Sequence, residues 1–324
     1  GLAILFHVTL LNFRGSIMKK PYSLLVEGDC LEVMSSIPDN SVNLVLCDLP
    51  YGTTQNKWDS IIPFDELWKN YKRILKPNGA VLLMSQGIFT AKVILSQERL
   101  FKYKITWIKS KATNFLNAKK QPLRKHEDIC VFYAKQPKYF PQMSEGSSYN
   151  KGVRKEQLTG SYGTFSPSLV QSDGARYPTD TVYFKTAETE GEVWHPTQKP
   201  VELGRYLVQT YTEEGDIILD NCFGSASFLV AAALEKRNAI GIELNQDIVK
   251  FKDEKIDLFD IAEKRLSGIA DVLSTDNNAN LSDLFQDFMR KIDNSKLSQN
   301  SNTRYRSSLS RYNRINSSSP MLAL

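Results

Sequence analysis

Apolar and polar positions along this chain repeat with two different periods. Short apolar runs at 24–26, 42–47, 80–84, 104–108, 129–133, 217–220 and 239–243 have the length and composition of buried strands. Helical stripes lie between them. Leu31, Met34 and Ile37 precede Pro38. Leu67, Trp68, Tyr71, Ile74 and Leu75 fall in 64–75, ahead of the breaker Pro77-Asn78-Gly79. Further helices are predicted over 88–95, 201–211, 227–237 and 257–266. Strands alternating with helices predict an α/β fold with a mostly parallel sheet covered on its faces.

The pattern divides the chain. The alternation occupies 22–135 and resumes over 193–270. Residues 136–192 are rich in Ser, Gly, Tyr, Thr and Pro, hold only weak strand candidates such as 181–184, and read as an insertion. Residues 1–21 read as a disordered N-terminal extension. Its apolar start is too short to span a bilayer and lacks the basic residues of a signal peptide, and Met18-Lys19-Lys20 looks like a natural start. Residues 271–324 are biased toward Ser, Asn, Asp and Arg and read as a low-complexity tail, with one isolated helix candidate at 281–292.

Composition narrows the function classes. The 324 residues can bury one large core with an inserted lobe. A net charge of +5 permits a nucleic-acid partner without requiring one. Cys30, Cys47, Cys130 and Cys222 form no CxxC pair and read as reduced core residues, which points to a cytoplasmic protein with no membrane association. With only His7, His126 and His195, no metal constellation is expected. Neither GxxxxGK[ST] nor GxGxxG occurs, so ATP hydrolysis and an ordinary dinucleotide fingerprint lack support.

Candidate chemistry centres on Asp48-Leu49-Pro50-Tyr51-Gly52, where the strand 42–47 ends. Ligands of open α/β sheets bind at that edge. A carboxylate and a backbone carbonyl there can accept both N–H groups of an exocyclic amine. The nitrogen lone pair is then drawn out of conjugation, and Tyr51 can stack on the base. Propensity for a turn explains the same residues on their own.

Two motifs together carry a resemblance. Asp48-Leu49-Pro50-Tyr51 resembles the Asp-Pro-Pro-Tyr motif of amino-group DNA methyltransferases. The segment Asp220-Asn221-Cys222-Phe223-Gly224-Ser225-Ala226-Ser227 resembles their S-adenosylmethionine loop, and His195-Pro196-Thr197-Gln198-Lys199-Pro200 stands just before it. Catalytic motif first and cofactor loop second is the order of the permuted β group. The resemblance covers about 22–269. It implies a class I, Rossmann-like methyltransferase fold of about seven strands, permuted, with an inserted target-recognition lobe. It implies catalytic roles for Asp48, Leu49, Pro50 and Tyr51, and cofactor contacts by Asp220, Phe223, Gly224 and Ser225. Leu49 stands where the family has Pro, and Ala226 where it has a second glycine. If that second position needs φ > 0, alanine costs about 1 kcal/mol or more.

Other site residues follow with competing readings. Glu243 ends a strand roughly 20 residues past Gly224, the spacing of an acid that takes ribose hydroxyls. Asp29 resembles the family's adenine-pocket acid, or is a helix cap. Thr197, Gln198 and Lys199 line the methionine end of the cofactor in the family, or form a capping turn. Cys47 follows no proline, unlike the nucleophile of cytosine-C5 enzymes, and reads as core.

Residues 109–156 carry eleven Lys and Arg against four Asp and Glu, interleaved with Phe115, Tyr139, Phe140 and Tyr149. Lys119, Lys120, Arg124, Lys125, Lys151, Arg154 and Lys155 are candidate contacts to double-stranded DNA. A solvated basic surface is the alternative.

The resemblance therefore implies methyl transfer from S-adenosylmethionine to adenine N6 in double-stranded DNA. Asp rather than Ser before the Pro-Tyr favours adenine over cytosine N4. A cognate restriction endonuclease is the partner such enzymes imply. A DNA-binding module that has lost catalysis is the alternative from another class.

Overall fold

The computed structural model describes residues 8–11, 23–52, 60–154, 168–244, 249–251 and 254–270. The apolar runs become strands of one sheet: β1 (Val8–Leu11), β2 (Ser23–Glu27), β3 (Val42–Cys47), β4 (Leu75–Ser85), β5 (Phe101–Thr113), β6 (Arg124–Phe132), β7 (Thr181–Phe184), β8 (Ile217–Asp220) and β9 (Asn238–Glu243). The helices are α1 (Cys30–Ser35), α2 (Phe64–Ile74), α3 (Ile88–Ser96), α4 (Val201–Tyr211), α5 (Ser227–Leu234) and α6 (Leu258–Ala270).

Across the sheet the order is β1-β2-β9-β8-β3-β4-β6-β5-β7. From β2 to β4 every neighbouring pair is parallel, β6 runs antiparallel to β4 and β5, and β7 is parallel to β5. The expected seven strands are thus joined by two edge strands. One of them, β1, pairs antiparallel with β2, so four residues of the expected disordered arm take part in the sheet. The other, β7, returns to the sheet from within the expected insertion. The rest of the N-terminal extension and the tail 271–324, including its helix candidate, lie outside the described residues.

Alternation along the strands builds two cores. Leu44 and Leu46 face α4, α5 and α6, packing with Leu203, Leu207, Phe228 and Phe259. Val45 and Cys47 face α1, α2 and α3, packing with Val33, Leu67, Tyr71 and Phe89. Because both faces are covered, the central strands are apolar throughout rather than alternating. Gly241 lets α5 lie close on the sheet, since a Cβ there would stand 2.4 Å from Leu229 Cδ1.

Several boundaries differ from those expected. Pro77-Asn78-Gly79 does not end an element; β4 starts at Leu75 and absorbs the breaker as a register shift against β3, between Val42↔Leu75 and Leu44↔Ala80. Both β5 and β6 are longer than their apolar runs, because their polar ends form a hairpin. α5 stops at Leu234 because Lys236 turns left-handed, with φ 58°. Among the described residues, no helix is long and apolar enough to cross a membrane.

Candidate active site

Sheet order fixes where the site lies. β3 and β8 are parallel neighbours, and the chain winds outward from them in opposite directions, through β4 on one side and β9 and β2 on the other. The crevice outside the carboxyl ends of such a pair is where α/β sheets bind ligands. Asp48 follows β3, Asp220 ends β8, Glu243 ends β9 and Asp29 follows β2. Residues far apart in sequence therefore meet at one edge.

Asp48 is held from two sides. Tyr51 Oη donates to Asp48 Oδ1 at 2.8 Å, and Lys199 Nζ lies 2.8 Å from Asp48 Oδ2. Lys199 also pairs with Glu127 Oε2 at 3.1 Å, and Glu127 Oε1 accepts from Lys109 Nζ at 3.1 Å. The result is a mostly buried chain of alternating charge, Asp48–Lys199–Glu127–Lys109. Burial raises the Asp48 carboxyl above its ordinary range, while the Lys199 ammonium opposes that shift. Burial disfavours the Lys199 ammonium, yet Asp48 and Glu127 together raise its pKa above the ordinary lysine value. Burial also opposes the Glu127 carboxylate, but Lys199 and Lys109 bring its pKa below the ordinary value. Phe89 stacks on Tyr51 with ring centroids 4.7 Å apart, which covers one face of the ring. Leu49 is buried, so its side chain belongs to the core.

The turn ahead of α4 aims Lys199. His195 Nδ1 faces Thr197 Oγ1 at 3.0 Å, and Gln198 Oε1 accepts from Trp194 N at 3.0 Å. Thr197 and Gln198 therefore build the turn, and Lys199 reaches the carboxylate of the first motif. His195 is buried, and that burial, with the Lys199 charge nearby, lowers its pKa to about 4.

Across the crevice, Gly224 has φ 51° and nothing within 4 Å of where a Cβ would stand. Its N–H donates to Glu243 Oε2 at 2.8 Å. Ala226 has φ 63° and is fully buried, so the alanine does occupy the left-handed position the family fills with glycine. Asp220 is buried, which raises its pKa to about 8. Phe223 packs edge-on against Phe259 at 5.1 Å in the core, so its side chain does not line the crevice. Ser225 is buried, and its carbonyl accepts from Arg265. Asp29 caps α1 by accepting from Leu31 N at 2.8 Å, the capping reading of that residue. Cys30, Cys47 and Cys222 cluster beneath the loop as free thiols; burial pushes the Cys47 thiol up to about 12.

Comparison with known proteins decides the family. The family model N6_N4_Mtase, described as DNA methylase, matches residues 42–254, well over half of the chain. The chain belongs to this family of DNA methylases. Its relatives include the type II methyltransferase M.HpaI of Haemophilus parainfluenzae, 25% identical over 77% of this chain and 80% of that one. The DNA adenine methyltransferase YhdJ of Escherichia coli is 26% identical over 72% of this chain and 82% of its own length. Among solved structures, the cytosine-N4-specific PvuII DNA methyltransferase aligns with TM-score 0.53 and 15% identity over 85% of this chain and 94% of its own. That likeness concerns the fold.

The crevice of this DNA methylase fits S-adenosylmethionine. A Cβ at Gly224 would meet nothing within 4 Å, and both Glu243 oxygens already accept backbone N–H groups, Oε2 from Gly224 and Oε1 from Leu244, each with a further lone pair for a hydroxyl. Among the described residues, no group of three or more His, Cys, Asp or Glu is placed to hold a metal ion.

Of the expected DNA contacts, Lys119, Lys120, Arg124 and Lys125 are exposed in the β5–β6 connection and the start of β6. Lys151 is exposed on a small hairpin, 5.1 Å over the Tyr149 ring. Arg154 ends a strand of that hairpin, and Lys155 lies outside the described residues. The basic surplus of the span is smaller at the surface than in the sequence. Lys109 is buried against Glu127, and Lys138 is tied to Glu213 and Asp216. Sequence reasoning did not single out Glu127 or Phe89. Glu127 sits in a charged run, Arg124-Lys125-His126-Glu127-Asp128, that hides the first half of β6, and nothing in the sequence marks Phe89.

Proposed function

We propose that this DNA methylase transfers a methyl group to N6 of adenine in double-stranded DNA, at a defined sequence. The observation that carries the reading is the position of Asp48 and Tyr51. They lie at the end of β3, across the switch point from the Asp220–Ser227 loop, with Tyr51 Oη on the Asp48 carboxylate. S-adenosylmethionine, when bound, supplies an electrophilic methyl group. Asp220, Gly224, Ser225 and Glu243 are the residues proposed to hold it, with Asp29 at the adenine end and the 197–199 turn at the other. Asp48 and the Leu49 carbonyl would accept the two N–H groups of the target amine, so its lone pair would be free to form the new N–C bond as the donor's S–C bond breaks and leaves a thioether. The nitrogen would then release one proton through Asp48 to water. The gain comes from positioning and fixed charge, with no covalent intermediate on the protein. The Tyr51 ring, with Phe89 stacked on it and Lys199 Nζ 5.8 Å from its centroid, is the group proposed to stack on the base after it leaves the duplex.

Lys199 occupies Asp48 Oδ2 where an amine N–H would bind. Glu127, already 3.1 Å away, retains the ammonium when the base arrives. Asp48 therefore keeps its two partners, Tyr51 and Lys199, in the absence of DNA. The Asp at position 48, rather than Ser, favours adenine. The type II relatives support a cognate restriction endonuclease acting on the same sequence.

Nucleoside mass spectrometry of DNA from cells expressing the protein tests this reading. N6-methyladenine absent from control cells is the expected result. N4-methylcytosine instead would keep the chemistry and change the base. No modified base would contradict both.

A further inference from the structure

β5 and β6 run past the edge of the core as an antiparallel hairpin, and the connection between them carries an unusual pair of side chains. Phe115 is 75% exposed and Leu116 83% exposed, side by side at the tip. Single exposed apolar residues are ordinary, but two adjacent large ones on a well-formed turn are not. The turn is held by its own bonds. Asn114 is left-handed at φ 70°, residues Phe115–Asn117 make one 3-10 turn, Asn117 Nδ2 donates to Asn114 Oδ1 at 2.7 Å, and Lys120 N donates to Asn117 O at 2.8 Å. This geometry presents both side chains outward instead of letting them fold back.

The surroundings select a partner. Lys111, Lys119, Lys120, Arg124 and Lys125 flank the pair in sequence and are exposed, and residues 111–125 hold no Asp or Glu. Lys111 reaches Glu188 at 3.1 Å, and Arg124 touches Gln86. An exposed apolar pair on a basic hairpin suits neither a neutral protein groove nor open water. It suits a polyanion with an apolar interior, which describes stacked base pairs inside a phosphate cage. The hairpin also leads to the reacting centre. Lys109 of β5 and Glu127 of β6 belong to the ion-pair chain that ends at Asp48. From Lys109 to Thr113 is about 13 Å of strand, the scale of a few base-pair steps.

We infer that Phe115 and Leu116 form a wedge that enters the duplex beside the target and fills the stack as the base leaves for Asp48 and Tyr51. The inference rests on the proposed methyl transfer to duplex DNA and adds a positioning role that the reading does not require. Flanking cations hold the backbone while the wedge unstacks a step. Unstacking and unpairing are the part of base extrusion that the wedge offsets, and that part is smallest for a base that is already mispaired.

The test uses the full chain and duplex oligonucleotides with a randomised core, from which the wild-type protein's own methylated sequence is read. Single-turnover methylation is then measured on that duplex and on the same duplex with a mismatch opposite the target. Phe115→Ala/Leu116→Ala is expected to slow transfer on the matched duplex about 10- to 100-fold, the range for loss of aromatic stacking on bases. It should approach the wild-type rate on the mismatched duplex. Phe115→Trp is expected to retain activity on both. Equal rates for double variant and wild type on the matched duplex would overturn the wedge. So would an equal loss on both duplexes, which would make the tip a general docking contact. Unmodified DNA with wild-type protein would overturn the functional reading itself, and the wedge with it.

Discussion

Lys199 Nζ lies 2.8 Å from Asp48 Oδ2, which joins the turn before α4 to the end of β3 across 151 residues of sequence. The pair ties the segment before α4 to the end of β3 at the Asp48 carboxylate. It also leaves two carboxylates, Asp48 and Glu127, sharing one ammonium.

Removing that ammonium should therefore be costly. Lys199→Met leaves two mostly buried carboxylates without their common partner, and loss of about 3 kcal/mol of stability is expected. Adding Asp48→Asn should recover part of it, because Glu127 keeps Lys109 and Asp48 is the carboxylate left without a cation. Urea unfolding of wild type, single and double variants measures both. A single variant as stable as wild type would show that the pair contributes nothing.

Tyr51 has two roles that substitution can separate. Its hydroxyl donates to Asp48, so Tyr51→Phe should slow methyl transfer by about 10-fold, as for a hydrogen bond to a charged group. Tyr51→Ala removes the ring as well and should lose more. Stacking alone would leave the phenylalanine variant at the wild-type rate, an outcome that single-turnover assays would reveal.

At Ala226 the opposing effects are of similar size. A left-handed alanine is strained by about 1–2 kcal/mol. Replacing it with glycine loses a fully buried methyl, about 0.8 kcal/mol, and restores unfolded-chain freedom worth about 0.4–1 kcal/mol. Ala226→Gly should therefore stay within about 1 kcal/mol of wild type. Ala226→Val adds branching to a buried position at φ 63° and should lose about 2 kcal/mol or more. Thermal denaturation distinguishes the two, and a tolerated valine would contradict the left-handed backbone.

His195 gives a pH signature. Its pKa falls from about 6.5 in the unfolded chain to about 4 in the fold. Between those values the unfolded state binds more protons, so stability is lost as pH falls from about 7 to 4. The full loss would be about 3 kcal/mol. His195→Gln should lack this component. The difference between the two stability curves, measured over that range, isolates it, and parallel curves would rule it out.

Much of this was legible from residues. The strands 42–47 and 217–220 stand as read, because a covered sheet demands short apolar runs and little else produces them, whereas the weak candidate 181–184 is an edge strand with alternating exposure. The convergence of Asp48, Asp220 and Glu243 followed from each ending a strand. The hairpin of β5 and β6 was half hidden, since its outer part is wet and polar and so carries no apolar pattern. Asp29 and Phe223 show a different limit. A motif position fixes which residue stands there, while the local backbone decides what its side chain does: one caps α1, and the other fills the core. The resemblance places Lys199 at the methionine end of the cofactor, and only tertiary packing reveals its carboxylate partners.

In the proposed reaction Asp48 acts on the target amine and not on the methyl donor. Asp48→Ala tests it most directly, with S-adenosylmethionine affinity by calorimetry and methyl transfer to duplex DNA measured on the same preparation. Affinity within a few-fold of wild type together with transfer reduced by about 1,000-fold or more is the expected result, as for loss of a preorganised group at the reacting centre. Near-wild-type transfer by Asp48→Ala, or transfer lost only in proportion to cofactor affinity, would contradict it.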